Sequence, residues 1–219
     1  METIRWRALS AVAPLAWGTT YFTTERFLPE DRPLFSALVR ALPAGLLLLA
    51  VTRTLPRGVW WWRAGLMGLC NIGLFFPLLF LAAYRLPGGL ASTIQAGSPL
   101  VVMLFALLLI GERARTGAVL AGLAGMGGVA LLVLQSPEGV DALGLAGAVG
   151  SVVVSGLGFV LIKRWRPPVP MLTLVSWQLV AGGLALLPIA VVLEGAPPAL
   201  DVHNVLGYAW VGGVGTVLA

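Results

Sequence analysis

The chain has 219 residues, of which 58% are hydrophobic and 11% are charged, against about 25% charged residues in ordinary soluble domains. Its mean hydropathy is +0.95, so too few polar side chains are present to cover a water-soluble domain. The composition excludes a soluble globular enzyme, a nucleic-acid reader and a disordered tail. It predicts an all-α, polytopic membrane helix bundle, with a lipid bilayer around it and no nucleic-acid partner.

Clusters of charged and turn-forming residues divide the chain into apolar runs of about 20 residues, the length that a membrane-spanning helix needs. Because the runs are long and apolar on all sides, they favour helices over the short alternating strands of a barrel. The first run follows two arginines like a signal peptide, but no cleavage site follows it, so we expect an uncleaved helix. The predicted runs are 8–24, 33–51, 61–83, 88–110, 115–134, 142–162, 169–193 and 204–219.

The distribution of charge predicts the orientation, because cytoplasmic loops are enriched in Lys and Arg. With the N-terminus inside, ten cations fall in cytoplasmic loops and only Arg26, Arg32 and Arg85 fall in outer loops. We therefore expect a multi-pass protein of the inner (plasma) membrane with a cytoplasmic N-terminus. The ten cations are Arg5, Arg7, Arg53, Arg57, Arg63, Arg113, Arg115, Lys163, Arg164 and Arg166.

Two parts of the chain resemble each other at an offset of about 137 residues, which indicates an internal repeat. The stretch 15–27 aligns with 153–165, and 44–49 aligns with 181–186 in the following run. Five runs fit in one period, and an odd number places the second copy upside down in the membrane. Inverted repeats of this kind are frequent in secondary transporters, which bind their substrate between the two halves.

This pattern predicts a five-helix inverted repeat, with a first copy over 1–135 and an incomplete second copy over 136–219. The last run is apolar and has no polar tail, and a helix ending in mid-membrane would leave its final carbonyls unsatisfied. We therefore expect a fragment of a longer protein, with about seven and a half helices of a ten-helix plan.

Short motifs in several runs resemble the EamA branch of the drug/metabolite transporter superfamily. They are Leu15-Ala-Trp-Gly-Thr-Thr-Tyr21, Leu38-Val-Arg40, Ala91-Ser-Thr-Ile-Gln-Ala-Gly-Ser-Pro-Leu100, Gly111-Glu-Arg113 and Trp177-Gln178. The resemblance implies ten helices with both termini in the cytoplasm, and export or uptake of small metabolites. With the repeat, it favours a secondary transporter that moves amino acids or related compounds by alternating access, with export as the expected direction.

Other classes of function were weighed against transport. A non-catalytic membrane assembly subunit or half-transporter is the alternative, and it is compatible with an incomplete repeat. An intramembrane enzyme is not expected, because the runs carry no His, Asp, Glu or Lys away from their ends. His203 and Cys70 have no partners at metal-ligand spacing, so neither a metal nor another cofactor is expected. A monomer and a homodimer both remain open.

Arg40 is the one formal charge well inside a predicted run. A charge at that depth is costly unless it is paired or faces a wet cavity. Two interpretations are equally open. Arg40 binds an anionic group of the substrate, such as a carboxylate, or it is a structural charge that snorkels to the outer surface or bonds helix-end carbonyls.

Neutral polar and aromatic side chains complete the candidate site. Asn71 and Phe75 are four residues apart, and Gln95 and Ser98 are three apart, so the members of each pair share a helix face. Polar groups of this kind either contact the substrate or form hydrogen bonds between helices. Trp17 and Tyr21 also lie on one face, and Trp177 and Gln178 are candidates to face them across the bundle, with ordinary helix packing as the alternative.

Pro99 either frees backbone carbonyls for a ligand or is a static kink. At the end of that run, Glu112 is either a latch or a surface cap.

Overall fold

The computed structural model describes residues 2–134 and 140–218, and the regular structure in these residues is helical. Each predicted run falls on one of eight helices, which confirms the all-α bundle. The predicted boundary between the two repeats, at 135/136, lies outside the described residues. The helices are α1 (Glu2–Phe27), α2 (Pro33–Thr52), α3 (Trp60–Arg85), α4 (Gly88–Ile110), α5 (Thr116–Leu134), α6 (Ala142–Trp165), α7 (Met171–Glu194) and α8 (Val202–Ala209), which continues as a π-helical segment, Trp210–Leu218.

Within the described residues, five helices are long and apolar enough to cross a membrane: α2, α3, α4, α6 and α7. α5 contributes a shorter apolar stretch, Thr116–Leu131. Large apolar side chains cover the outside of these helices, and Leu108 and Val192 are 67% and 79% exposed. A surface of this kind suits hydrocarbon rather than water, because a helix that is apolar all round needs an apolar environment on every side.

The contacts between helix ends sort the loops into two groups. At one end, Trp177 Nε1 donates to the Thr54 carbonyl at 2.6 Å, and the rings of Trp62 and Trp165 lie 5.1 Å apart. We call this the basic end; its loops are 53–59, 111–115 and 166–170. At the opposite end, the Tyr84 hydroxyl donates to the Pro29 carbonyl at 2.8 Å. Its loops are 28–32, 86–87 and 195–201.

α1 and α6 cross the bundle in opposite directions. α1 ends at Phe27, whose carbonyl accepts a hydrogen bond from Asn204 Nδ2 at the opposite end. α6 begins beside the same end, because Asp141 at its N-terminus pairs with Arg85 at the end of α3. The Asp141 side chain also caps α6 by accepting from the Gly144 N–H at 2.6 Å. Antiparallel crossing is what an inverted repeat requires, although it does not by itself establish one.

α2 and α7 form one of the most extensive helix pairs, and glycines let them approach closely. A Cβ on Gly45 would lie 2.8 Å from the backbone nitrogen of Val180, and one on Gly183 would lie 2.9 Å from Leu42 Cβ. α3 packs against α7 in the same way, because a Cβ on Gly182 would lie 2.7 Å from the Gly68 carbonyl oxygen. Small residues at helix interfaces are the usual route to tight packing in membranes.

Three departures from regular α-helix occur inside the bundle. α3 contains a π-helical turn over Leu69–Leu74, and the chain beyond α8 is π-helical over Trp210–Leu218. α4 is interrupted at residues 96–97, so that Gly88–Gln95 and Ser98–Ile110 form separate α-helical segments. The interruption lies where Pro99 was predicted to kink the helix. Pro99 stands in the first turn of the second segment, and it has no N–H for the Gln95 carbonyl.

Candidate functional site

Arg40 lies in the interior of the bundle and is 4% exposed. Its Nε donates to Thr216 Oγ1 at 3.0 Å, and Nη2 donates to the Gly215 carbonyl at 3.2 Å, both on the π-helical segment. The guanidinium carbon lies 4.4 Å from the ring centroid of Phe76. Nη1 is buried and has no hydrogen-bond partner among the described residues. One hydroxyl and one carbonyl therefore accept from Nε and Nη2, and Nη1 is left without an acceptor among the described residues.

Tyr21 is the second buried polar group of this region. The side chain is 9% exposed, and its hydroxyl has no hydrogen-bond partner among the described residues. The Gln95 side chain approaches this hydroxyl. Gln95 Nε2 donates to Ser151 Oγ on α6 at 2.8 Å. Tyr21 and Gln95, which sequence reasoning named separately, thus come together between α1, α4 and α6.

Phe75 and Phe76 on α3 bring phenyl rings next to the polar groups. Their centroids lie 5.6 Å apart. Phe75 packs against both the cluster around Phe80 and Leu186 and the cluster around Tyr21. The rings therefore provide an apolar wall next to Arg40.

Asn71 and Gln178 form a polar pair between α3 and α7. Asn71 Nδ2 donates to Gln178 Oε1 at 2.6 Å, whereas Asn71 Oδ1 is buried without a partner among the described residues. Gly158 on α6 leaves room for this side chain, because a Cβ there would overlap Asn71 Oδ1. The pair therefore joins two helices, which is one of the two roles considered for such groups. It also leaves Asn71 Oδ1 as an acceptor that a ligand could use.

Trp17 is 51% exposed but belongs to the group around Arg40, because its Nε1 donates at 2.9 Å to the Gly215 carbonyl that also accepts from Arg40 Nη2. The other candidates are placed differently. Trp177 packs with Met67 and Leu174 near the basic end and bonds the Thr54 carbonyl. The expectation that Trp177 faces Trp17 and Tyr21 is therefore not met, because Trp177 and Tyr21 belong to separate clusters. Ser98 is half-buried at the start of the second segment of α4.

Sequence reasoning missed the groups that hold Arg40. Thr216 and Gly215 lie in the last predicted run, where the apolar length is the only signal, and of the two adjacent phenylalanines only Phe75 is predicted. It also missed a hydrogen-bonded cluster at the opposite end, where Ser36 Oγ lies 3.0 Å from both the Tyr84 and the Tyr208 hydroxyl groups. Ser36 precedes Arg40 by one helical turn, and that i, i+4 spacing was the available signal.

A cavity of about 160 Å³ lies between α4 and α6 at the basic end. Met103, Ala106 and Phe159 line it, together with the ion pair of Glu112 and Lys163. Because its polar groups already bond each other at the surface, this cavity offers less unsatisfied hydrogen-bonding capacity than the interior around Arg40.

The fold and the site together define a polytopic helical membrane protein with unsatisfied polar groups in its interior. A profile of the EamA-like transporter family matches residues 5–134. The chain is 40% identical over 209 residues to Protein PecM of Dickeya dadantii (strain 3937), which covers 94% of this chain and 70% of PecM. The chain belongs to the EamA-like transporter family, as the sequence motifs predicted.

Other relatives agree with this assignment. The WAT1-related protein At3g02690, chloroplastic, of Arabidopsis thaliana is 32% identical, over 80% of this chain and 45% of that protein. Uncharacterized transporter YvbV of Bacillus subtilis (strain 168) is 31% identical, over 82% of this chain and 60% of that protein. A protein solved by crystallography shares the fold with a TM-score of 0.69 at 21% identity, over 96% of this chain and 75% of that one.

Proposed function

We propose that the protein is a secondary transporter that moves small metabolites, such as amino acids or related compounds, across the plasma membrane by alternating access, with export as its direction. One observation carries the proposal beyond family membership. Among the described residues, buried side-chain atoms without a hydrogen-bond partner occur on Tyr21, Arg40, Asn71 and Arg63, and the first three lie in the candidate site. Because an unsatisfied buried polar group is costly, such a concentration favours a place where a guest supplies the missing bonds.

The transport mechanism follows from a binding region enclosed between helices of both predicted repeats. α1, α2 and α3 belong to the first, and α6 and α7 belong to the second. Movement of the second group against the first would open the region to one side of the membrane and then to the other. The close glycine contacts between α2 and α7 make them a natural axis for that movement.

Flux measured in reconstituted vesicles tests the proposal. Vesicles containing the full chain are loaded with a mixture of labelled amino acids and organic acids, and their loss is compared with that from protein-free vesicles. We expect saturable movement of at least one compound. Asn71→Ala should slow it, whereas Ser92→Ala, at an exposed residue bonded only to its own helical turn, should not. No movement of any compound would contradict transport, and movement that requires a second co-expressed chain would favour an assembly subunit.

The proposed orientation places the N-terminus and the basic end in the cytoplasm, on the positive-inside rule. Single cysteines in a Cys70→Ala background provide a direct test. A membrane-impermeant maleimide on intact cells should label Ala199→Cys, in an exposed loop of the opposite end, and spare Arg57→Cys until the cells are opened. The reverse labelling pattern would overturn the orientation, and labelling of neither site in intact cells would place the protein in another membrane.

A further inference from the structure

We propose that Arg40 and Tyr21 form a subsite for the carboxylate of a small monocarboxylic acid with an apolar body, an inference that rests on the proposed transport function. Both side chains are buried, and each presents a donor, Nη1 and the hydroxyl, that has no partner among the described residues. Arg40 Nη2 on α2 and Trp17 Nε1 on α1 donate to the same Gly215 carbonyl, and Trp17 lies one helical turn from Tyr21 on the same face of α1.

The guanidinium of Arg40 is held in a fixed plane. Thr216 Oγ1 and the Gly215 carbonyl accept hydrogen bonds from Nε and Nη2, and the Phe76 ring covers one face. These three contacts leave the Nη1 edge available and restrict its direction. A donor whose geometry is set before the ligand arrives loses little conformational entropy on binding.

The positive charge of Arg40 has no compensating carboxylate among the described residues. The acids found in ion pairs there are Asp141, with Arg85, and Glu112, with Lys163. The described contacts of Arg40 are with neutral groups: a hydroxyl, a carbonyl and an aromatic ring. A buried guanidinium in this state favours an anionic guest, since bonds between ionised groups are stronger than those to neutral ones.

Tyr21 supplies a second donor without a second charge. α1 packs closely against the start of α4 at this residue, because a Cβ added to Gly88 would lie 3.1 Å from Tyr21 Cβ. A carboxylate has two oxygens, and one arginine edge together with one phenol hydroxyl match them. The described residues around this pair supply no second cation, so the charge suits a monoanion better than a phosphate dianion.

The surroundings of the pair determine the rest of the guest. Phe75 and Phe76 form an adjoining wall, and the cluster around Tyr21 continues with Leu79 and Ala83. Apolar surface of this kind is buried favourably against an alkyl or aromatic group. The site therefore fits an acid whose single carboxylate is joined to a compact apolar body.

Binding to the purified full chain at neutral pH provides the test, with 3-phenylpropionate as the acid and its neutral amide as the matched probe. Isothermal titration calorimetry should show the acid binding about tenfold more tightly than the amide. Arg40→Gln should weaken the acid about tenfold and leave the amide unchanged, so that the two bind alike. Arg63→Gln is the control, because Arg63 also stacks on aromatic rings but lies at the basic end.

Tyr21→Phe keeps the test decisive if Arg40→Gln fails to fold, because it removes only a hydroxyl that has no described partner. We expect the affinity for the acid to fall about threefold to tenfold, the size of one ordinary hydrogen bond, and the affinity for the amide to stay unchanged. Equal binding of acid and amide by the natural sequence would overturn the subsite. The subsite would also be overturned if neither probe bound, or if inorganic phosphate bound more tightly than the acid. It would be overturned as well if both variants kept the preference for the acid over the amide.

The vesicle experiment separates this inference from the transport proposal. When the amides of the amino acids and organic acids are added to the mixture, flux restricted to compounds without a carboxylate would support transport and overturn the carboxylate subsite. Selective binding of the acid without flux of any compound would support the subsite and contradict transport.

Discussion

Asn71 Nδ2 donates a hydrogen bond to Gln178 Oε1 at 2.6 Å and so joins α3 to α7 inside the bundle. Gln178 is 4% exposed, so neither water nor lipid replaces the bond if it is broken. Side-chain hydrogen bonds between membrane helices contribute about 0.6 kcal/mol on average, with a maximum near 1.7 kcal/mol. The short distance and the deep position place this one in the upper part of that range.

A double-mutant cycle with Asn71→Ala and Gln178→Ala should give a coupling energy of about 1 kcal/mol, because each variant removes the same bond. Unfolding in mixed detergent micelles, followed by circular dichroism, measures it. Ser92→Ala combined with Gln178→Ala is the control and should give additive losses, since Ser92 bonds only the Gly89 carbonyl of its own turn. A coupling energy of zero for the first pair would show that the bond does not stabilise the fold.

The contact between α2 and α7 predicts a strong dependence on the side chain at residue 45. Gly45→Ala would place a Cβ 2.8 Å from the Val180 nitrogen, a backbone atom that cannot rotate away. We expect a loss of about 1–3 kcal/mol of unfolding free energy, the usual cost of overpacking.

Gly125→Ala on α5 is the matched control for this substitution. A Cβ there meets nothing within 4 Å, and alanine has the higher helix propensity. Its thermal unfolding midpoint should be unchanged or higher. Equal losses from the two variants would indicate that a general effect of glycine replacement, rather than the helix contact, was being measured.

The same helix pair is joined at its opposite end by Glu194. Its two carboxylate oxygens accept the backbone N–H groups of Leu34 at 2.7 Å and Phe35 at 2.8 Å, in the first turn of α2. The Arg32 side chain in turn bonds the Glu194 carbonyl. A carboxylate at a helix N-terminus satisfies free donors and interacts favourably with the helix dipole.

Glu194→Gln should therefore cost about 1 kcal/mol of unfolding free energy, because the amide loses the charge and one acceptor. Glu25→Gln, at an exposed acid in α1, should cost much less. Hydrogen exchange of the Leu34 and Phe35 amides gives a local readout and should accelerate in Glu194→Gln alone. Unchanged exchange would show that other groups cap the helix.

The positions of the helices could be predicted because charged residues, glycines and prolines mark their ends. Pro33 begins α2 as predicted, and α3 begins at Trp60, one residue before the predicted run. The burial of Arg40 could also be predicted, since an arginine within an apolar run has few alternatives. What the sequence shows in these cases is local: a helix end, or a charge surrounded by apolar neighbours.

The partners of the site residues could not be predicted, because they depend on how helices rotate and on irregular turns. The π-helical segment that carries Gly215 and Thr216 to Arg40 has no distinguishing sequence pattern. Trp177 was expected to face Trp17 and Tyr21 across the bundle, yet it bonds the Thr54 carbonyl. A place in the second predicted repeat therefore does not determine which neighbours a side chain contacts.

Glu112 and Lys163 link α4 to α6 at the basic end, where both side chains are more than half exposed. Exposed ion pairs contribute about 0–1 kcal/mol and are screened by salt. Glu112→Gln should therefore change the free energy of unfolding little. If the pair is a latch rather than a surface cap, the variant should instead change the rate of flux. A weak bond at the end of a moving helix affects the balance between two conformations more than it affects overall stability.

The charge-exchanged double variant, Glu112→Lys with Lys163→Glu, should restore the flux of the natural sequence, whereas either single variant should not. Arg113→Gln, at the neighbouring exposed residue, is the control and should leave the flux unchanged. High salt should shift the natural sequence towards the behaviour of Glu112→Gln, since screening weakens the same attraction. Identical flux in all six proteins at low salt, the natural sequence and its five variants, would assign the pair to the surface and remove it from the transport cycle.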